Sequence, residues 1–144
     1  MSLPSLTPSN QKTIWLNGTF DVLHMGHINL FSHARKLAGP DGKVVVGTDS
    51  DERVRELKGP LRPINNLFDR IDFLRAIKYI DGVVVSSEDE LKARIKRFSP
   101  DILLIGDDYI GKPIVGAQYA KEIVYFPRYG GLSSTIIIGS QPVG

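Results

Sequence analysis

The sequence predicts one α/β domain with a parallel sheet of about five strands, doubly wound with helices on both faces. Short β-branched runs alternate with stretches of helical periodicity, and most of these runs are continuously apolar. Continuously apolar strands are typical of a sheet covered on both faces, and strands separated by helices form right-handed βαβ units. A length of 144 residues fits a single domain.

Five runs fit buried strands, and three segments between them fit amphipathic helices. The strand candidates are TIWLNG (13–18), KVVVGTD (43–49), GVVVSS (82–87), DILLIGD (101–107) and EIVYFP (122–127). The helix candidates are HINLFSHARKLAG (27–39), NLFDRIDFLRAIKYI (66–80) and SEDELKARIKRFSP (87–100). In the first helix Ile28, Phe31 and Ala34 lie on one apolar stripe. We therefore expect a Rossmann-like domain over residues 13–144, preceded by a flexible tail at residues 1–12.

Composition excludes several classes of protein. The formal net charge is only +2, so nothing demands a nucleic-acid or anionic-membrane partner. The absence of cysteine excludes disulfides, thiolate metal ligands and thiol catalysis, and it fits a cytoplasmic protein. The first twelve residues lack the basic start and apolar core of a signal peptide. No apolar run approaches the ~20 residues of a membrane span.

Glycines and polar residues follow the predicted strands. Gly18-Thr19 comes after the first, Gly47-Thr48-Asp49 closes the second, and Gly106-Asp107-Asp108 follows the fourth. Ligands of open parallel sheets bind beyond the carboxyl ends of the strands, where the strand order reverses. We therefore expect these residues to lie at one ligand-binding edge.

Residues 17–31, NGTFDVLHMGHINLF, place two of the three histidines at the start of the first predicted helix. A helix N-terminus presents unpaired N–H groups that suit phosphate. His24 and His27 are about one turn apart and project toward the same space, and Gly26 leaves room for a nucleotide to approach. The alternatives are a cap or surface histidine and a metal site. Zinc needs a third ligand, and only His33 follows in the same helix, so we predict no metal site.

The segment GTFDVLHMGH resembles the HxGH motif of the cytidylyltransferase-like nucleotidyltransferases, and the resemblance extends over residues 13 to about 138. RYGGLSST (128–135) resembles a motif of glycerol-3-phosphate cytidylyltransferases. LKGPLRPIN (57–65) and IVGAQYAKEI (114–123) are more similar to heptose-1-phosphate adenylyltransferases, and IGDDYIGK (105–112) is similar to both. These motifs are specific for the superfamily and less specific for the substrate.

The resemblance implies a reaction between a nucleoside triphosphate and a phosphorylated acceptor. An acceptor phosphate oxygen attacks the α-phosphorus and pyrophosphate leaves, without a covalent enzyme intermediate. Catalysis would then consist of positioning and charge stabilisation. The resemblance also implies Mg²⁺ on the triphosphate, held mostly by phosphates and water, and a homodimer.

The same resemblance assigns roles to individual residues. His24 and His27 would stabilise charge on the α-phosphate and pyrophosphate, and Lys58 would bridge the acceptor phosphate and the α-phosphate. The nucleotide would be held by residues of the strand ends and the first turn, namely Gly18, Thr19, Phe20, Gly26, Asp107, Asp108 and Tyr109. The acceptor side would be served by Asp21, Arg62 and Arg70. Arg70 is also compatible with a structural ion pair.

The C-terminal motif implies a short last helix whose N-terminus faces the triphosphate. Ser133, Ser134 and Thr135 would open this helix, with hydroxyls that can cap it or donate to anions. Arg128 would supply a fixed cation. Tyr129-Gly130 departs from the usual Thr-Glu, and the β-branched TIIIGSQPVG that follows predicts a stubby helix or a strand-like end.

Two substrate assignments compete. We favour ATP with a sugar 1-phosphate of the heptose type, which would serve surface-glycan precursor synthesis, over CTP with glycerol 3-phosphate. Adenylyl transfer of the FAD-synthase type is a minor alternative. A regulator that binds a nucleotide without turnover is the alternative from another functional class; it would leave the retention of His24, His27 and Lys58 unexplained.

Overall fold

A computed structural model describes residues 11–86 and 88–127 of the chain. Its centre is a five-stranded parallel sheet in the order β3-β2-β1-β4-β5. The strands are β1 (Thr13–Gly18), β2 (Lys43–Asp49), β3 (Gly82–Ser86), β4 (Ile102–Gly106) and β5 (Glu122–Phe126). The five strands predicted from the sequence are confirmed to within one residue at each end. Because β1 to β3 run to one side and β4 and β5 to the other, the strand order reverses between β1 and β4.

Four α-helices connect the strands: α1 (Met25–Ala38), α2 (Asp51–Lys58), α3 (Leu67–Arg75) and α4 (Glu88–Phe98). Short 3₁₀ turns lie at Asp107–Tyr109 and Ala117–Tyr119. Within the described part of the chain, no helix has the length and apolarity needed to cross a membrane.

Two helices differ from the expectation. The helix predicted for residues 66–80 ends at Arg75. Ala76 N–H closes its last turn, and residues 76–80 form turns instead. The helix α2 was not predicted, because only Val54 of its eight residues is buried and an apolar stripe is lacking. Its signal was the capping pattern: Ser50 accepts from Arg53 N–H, and acidic residues fill the first turn.

Alternate residues of β1 pack on opposite faces of the sheet, as a covered sheet requires. Ile14 and Leu16 belong to a core cluster that includes Phe31 of α1 and Leu74 of α3. Trp15 instead packs with Ile95 of α4 and with Leu103. The described part of the chain is therefore a Rossmann-like layered α/β fold, with α1 and α3 on one face and α4 on the other.

A buried arginine ties together the segments at the carboxyl edge of this sheet. Arg70 of α3 has no exposed surface. Its Nε donates to the carbonyl of Asn65 at 3.0 Å, and its Nη1 donates to the carbonyl of Thr19 at 3.0 Å and to Thr48 Oγ1 at 2.9 Å. Its Nη2 pairs with Asp51 Oδ1 at 2.7 Å. One guanidinium thus joins the turn after β1, the end of β2, the start of α2 and the loop before α3.

Replacing this guanidinium should destabilise the fold more than removing a surface arginine. Arg70→Met leaves several buried acceptors unsatisfied, so we expect the free energy of unfolding to fall by about 3–5 kcal/mol. Arg94→Met is the matched control, since Arg94 is about half exposed and lies 3.6 Å from Glu90 on the same helix. The control should change stability by less than about 1 kcal/mol. Urea denaturation measures both changes. Equal losses of unfolding free energy in the two variants would contradict the assignment of Arg70 as the residue that joins these segments.

Candidate active site

The residues expected at a ligand-binding edge do lie at the carboxyl ends of neighbouring strands. Gly18 is in register with Thr48 of β2, and Gly106 with Phe126 of β5. β1 and β4 are parallel neighbours, with Ile14 in register with Ile102 and Trp15 with Leu103. The turn that follows β1 leads directly into α1, next to the reversal of strand order. This is the position where open parallel sheets bind ligands.

His24 and His27 form a capping box at the start of α1. His24 is the N-cap, and its Nδ1 accepts from Gly26 N–H at 3.0 Å. The backbone N–H of His24 donates in turn to His27 Nδ1 at 3.2 Å, and the two ring centroids are 3.9 Å apart. The cap interpretation is thus what the hydrogen bonds show, and it is compatible with phosphate binding.

These two hydrogen bonds also fix the tautomer of the imidazoles. Because Nδ1 of each ring accepts a backbone N–H, the proton of each neutral ring lies on Nε2. Each ring is therefore an Nε2–H donor whose orientation is set by the helix start. Two neighbouring donors held in this way suit an anion rather than a metal ion, which needs unprotonated nitrogen. Across residues 11–86 and 88–127, no group of three or more His, Cys, Asp or Glu side chains is arranged to hold a metal.

The arrangement of the two histidine rings also depends on Gly26 and Phe20. A Cβ on Gly26 would lie 2.7 Å from Cε1 and 2.9 Å from Nδ1 of His24, so any larger residue would displace the capping ring. Phe20 is buried, and its ring contacts His27 edge-on at 5.6 Å and Phe31 at 5.3 Å. The structure thus adds a packing reason for the glycine, whose predicted role toward a nucleotide stays a prediction.

Asp21 anchors the loop that precedes α3. Its carboxylate, which has no exposed surface, accepts from Arg62 Nε at 2.7 Å and from the N–H groups of Ile64 and Asn65 at 2.8 Å. Burial alone would raise the pKa of Asp21, but these hydrogen bonds and the Arg62 charge outweigh it and hold the pKa below its ordinary value. Asp21 therefore joins the turn after β1 to the RPIN segment.

The three residues predicted to serve the acceptor substrate differ in the contacts that their side chains make. Arg70 makes the structural ion pair that the sequence left open, and its nitrogens are occupied by protein acceptors. Asp21 and Arg62 bind each other, and the Arg62 side chain is only 10% exposed. Contact of these residues with an acceptor stays a prediction.

Lys58 is the last residue of α2 rather than a loop residue, and it is exposed. It lies close enough to Asp49, at the end of β2, to oppose the rise of that carboxyl's pKa. Burial raises the pKa of Asp49; Arg53, a hydrogen bond from the Thr19 hydroxyl, Arg70 and Lys58 offset only part of the rise. The Thr19 hydroxyl donates to Asp49 Oδ2 at 3.4 Å. The Thr19 hydroxyl thus links the turn after β1 to the carboxyl group at the end of β2.

Sequence reasoning missed the roles of Thr48, Asp49 and Asn65. Thr48 and Asp49 were noted only as polar residues at a strand end, and Asn65 only as part of a motif. Each acts through long-range hydrogen bonds to the turn after β1. For Thr48 and Asp49, the available signal in the sequence was a polar residue at the end of an otherwise apolar strand.

The other predicted site residues fall into two groups. Asp107, Asp108 and Tyr109 form the 3₁₀ turn that follows β4, and Tyr109 is 42% exposed. The residues predicted for the C-terminal motif lie outside the described residues: Arg128, Ser133, Ser134 and Thr135.

A pair of oriented imidazole donors at a helix start, beside a reversal of strand order, is typical of an α/β domain that binds an anionic ligand such as a nucleotide. The chain belongs to the cytidylyltransferase-like family, whose model matches residues 15–140.

Curated relatives cover most of this chain, and a solved structure shares its fold. The chain is 41% identical over 130 residues to the bifunctional protein HldE of Campylobacter fetus, covering 90% of this chain and 28% of that protein. It is 42% identical over 132 residues to the bifunctional protein HldE of Hyphomonas neptunium, covering 89% and 26% respectively. The chain thus spans only about a quarter of the length of these relatives. The crystal structure of a lipopolysaccharide core biosynthesis protein from Thermoplasma volcanium has the same fold, with a TM-score of 0.63 and 23% identity over 81% of this chain and 97% of that one.

The anchoring role of Asp21 predicts a specific dependence of stability on pH. Because its pKa is lowered in the folded protein, the stabilisation is complete above the ordinary aspartate pKa of about 3.9 and is lost as the pH falls through the lower folded value. Asp21→Asn should lower the free energy of unfolding by about 1–3 kcal/mol at pH 7, since the amide group cannot accept from all three donors. The difference between variant and wild type should shrink as the pH falls below the ordinary aspartate pKa, because wild-type Asp21 then becomes protonated as well.

Thermal denaturation at several pH values measures this dependence. Asp72→Asn, an exposed change on α3, is the matched control and should show no such trend. A difference between the Asp21 variant and wild type that stays constant with pH would show that the carboxylate charge is not what anchors the loop.

Proposed function

We propose that this chain is a nucleotidyltransferase that transfers AMP from ATP to a sugar 1-phosphate of the heptose type and releases pyrophosphate. The observation that carries the proposal is the histidine capping box at the carboxyl edge of the sheet, which leaves the proton of both neutral imidazoles on Nε2. Such donors match oxygens that gain negative charge when phosphorus is attacked. Family membership supports the reaction class.

In the proposed reaction an acceptor phosphate oxygen attacks the α-phosphorus of ATP. The bond from this phosphorus to the pyrophosphate oxygen breaks, and the electron pair leaves with pyrophosphate. His24 and His27 donate to the phosphate oxygens, and the exposed ammonium of Lys58 draws the acceptor phosphate toward the α-phosphate. The protein contributes orientation and charge, without a covalent intermediate. Mg²⁺ bound to the triphosphate would supply further neutralisation of the phosphate charge.

A polar cleft beside the anchored loop supports a hydroxyl-rich acceptor. A cavity of about 290 Å³ opens between α2 and α3. Its wall includes Asp51, Arg55, Arg62, Asn66 and Asp69, so cationic groups for a phosphate stand beside acceptors for sugar hydroxyls. The loop that forms this wall is the LKGPLRPIN segment, whose resemblance favours the heptose-type assignment over glycerol 3-phosphate. Similarity to the HldE proteins points the same way.

The cytoplasmic location, the homodimer and the role in surface-glycan precursor synthesis are further parts of the proposal. Exposed apolar side chains of the loop after α2 and of α3 itself, among them Leu61 (87% exposed) and Phe68 of α3 (78% exposed), offer a surface for a second copy.

A pyrophosphate-release panel tests the function. ATP and CTP are each combined with heptose 1-phosphate, glycerol 3-phosphate and FMN, and we expect release only from ATP with heptose 1-phosphate. Release from CTP with glycerol 3-phosphate would replace the substrate assignment, and release from ATP with FMN would indicate an FAD-synthase-like enzyme. Binding of ATP or CTP without release in any combination would support a nucleotide-binding regulator instead.

A second experiment separates the capping role of the histidines from their proposed chemistry. The double variant His24→Asn/His27→Gln keeps side chains that cap helices well but removes both imidazoles. We expect its melting temperature to stay close to that of the wild type while kcat falls by about 10² or more.

His33→Ala is the control, because His33 lies farther along α1, against Phe126. It should retain turnover. If the double variant keeps wild-type activity, the imidazoles serve only as caps and the proposed mechanism is wrong.

A further inference from the structure

The peptide group between Thr19 and Phe20 is held by two buried donors. The carbonyl oxygen of Thr19 accepts from Thr48 Oγ1 at 3.0 Å and from Arg70 Nη1 at 3.0 Å. Thr48 is 2% exposed and Arg70 is fully buried, so this carbonyl points into the protein. Arg70 Nη1 also donates to Thr48 Oγ1 at 2.9 Å, which closes a small hydrogen-bonded ring of the three groups.

The other side of this peptide faces away from the buried donors. The peptide is trans, and in a trans peptide the C=O and N–H bonds point in opposite directions. Phe20 N–H is therefore directed away from Thr48 and Arg70, and it has no acceptor within the described ranges 11–86 and 88–127. The turn that carries it runs directly to the capping histidines.

The conformation of Phe20 shows that this orientation is imposed. Its φ is 49°, in the left-handed region that a bulky side chain rarely adopts. The surrounding contacts hold it there: the ring packs against Phe31 and His27, while the preceding carbonyl is fixed by Thr48 and Arg70. Such strained residues persist where the structure overdetermines them, often at functional sites.

We infer that Thr48 and Arg70 are positioning residues for nucleotidyl transfer, because they hold the Thr19 carbonyl inward and so present Phe20 N–H to the phosphate oxygens. This inference rests on the proposed function and extends it to two buried residues that act through the peptide group between Thr19 and Phe20. Thr48 is central, since its hydroxyl both donates to the carbonyl and accepts from Arg70. Without it the peptide is freer to rotate, which would relieve φ at Phe20 and turn the N–H away.

Thr48→Val tests the inference, because valine keeps the shape of threonine and removes the hydroxyl. We expect kcat to fall by at least about 10-fold, while KM for the acceptor is unchanged, since the donor acts mainly on charge that develops in the transition state. Thr48→Ser is the matched control and should restore most of kcat. Equal kcat in Thr48→Val and wild type would overturn the inference.

A second readout does not depend on turnover. In the ¹⁵N-labelled protein, the Phe20 amide proton should move downfield when pyrophosphate or a non-hydrolysable ATP analogue is added, and this movement should be lost in Thr48→Val. A Phe20 amide that stays in place while the amides of residues 24–27 respond would overturn the inference and leave phosphate binding at the helix intact. Failure of the proposed function is distinguishable, because the wild type would then release no pyrophosphate whatever the amide does.

Replacement of Phe20 by phenyllactic acid during translation gives a direct check, also if Thr48→Val does not fold. The resulting ester keeps the side chain and removes the N–H, and it also makes the Thr19 carbonyl oxygen a weaker acceptor. The ester variant should lose kcat to at least the extent expected for Thr48→Val. Full activity of the ester would overturn the inference.

Discussion

The carboxyl edge of this sheet depends on a single buried cation. Arg70 lies without solvent contact, and its guanidinium is satisfied by groups from separate segments that include Thr19, Asn65 and Asp51. A planar fork of five N–H donors is the side chain best suited to joining several acceptors at once. Because a buried charge is costly when any partner is lost, these segments hold one another in place. The turn after β1 is consequently defined by tertiary contacts as much as by its own sequence.

The two histidines illustrate how one set of atoms can serve stability and chemistry together. Using Nδ1 of both rings to satisfy backbone N–H groups stabilises the start of α1 and leaves the proton of each ring on Nε2. Asparagine or serine would cap the helix equally well but would not supply an imidazole Nε2–H donor. The cap interpretation therefore does not compete with the phosphate interpretation; it supplies the orientation on which phosphate stabilisation relies.

Two aspartates at this edge have pKa values shifted in opposite directions, and the number of donors explains the difference. Asp21 is buried but accepts from two backbone N–H groups and Arg62, so its pKa is lowered. Asp49 is also desolvated, but within residues 11–86 and 88–127 its carboxylate accepts a hydrogen bond only from the Thr19 hydroxyl, and positively charged side chains do not compensate fully for the burial. The Asp21 carboxylate is a fixed structural anchor. The Asp49 carboxylate has fewer donors: it accepts from the Thr19 hydroxyl, and the charge of Lys58 is among those that offset part of the rise of its pKa.

The sequence by itself determined the five strands, the helices α1 and α4, and the gathering of glycines and polar residues at one edge. Buried parallel strands and amphipathic helices leave periodic apolar patterns, and these local patterns survive without knowledge of partners. The charged helix α2 and the early end of α3 escaped prediction because capping and packing, rather than an apolar stripe, decide them. Only the tertiary structure decided that Arg70 is a structural tie, that Asp21 anchors a loop some 40 residues away, and that Thr48 orients the peptide before Phe20. Hydrogen bonds between segments distant in the chain leave no periodic trace in the sequence, so their partners are fixed only when the sheet brings its strand ends together.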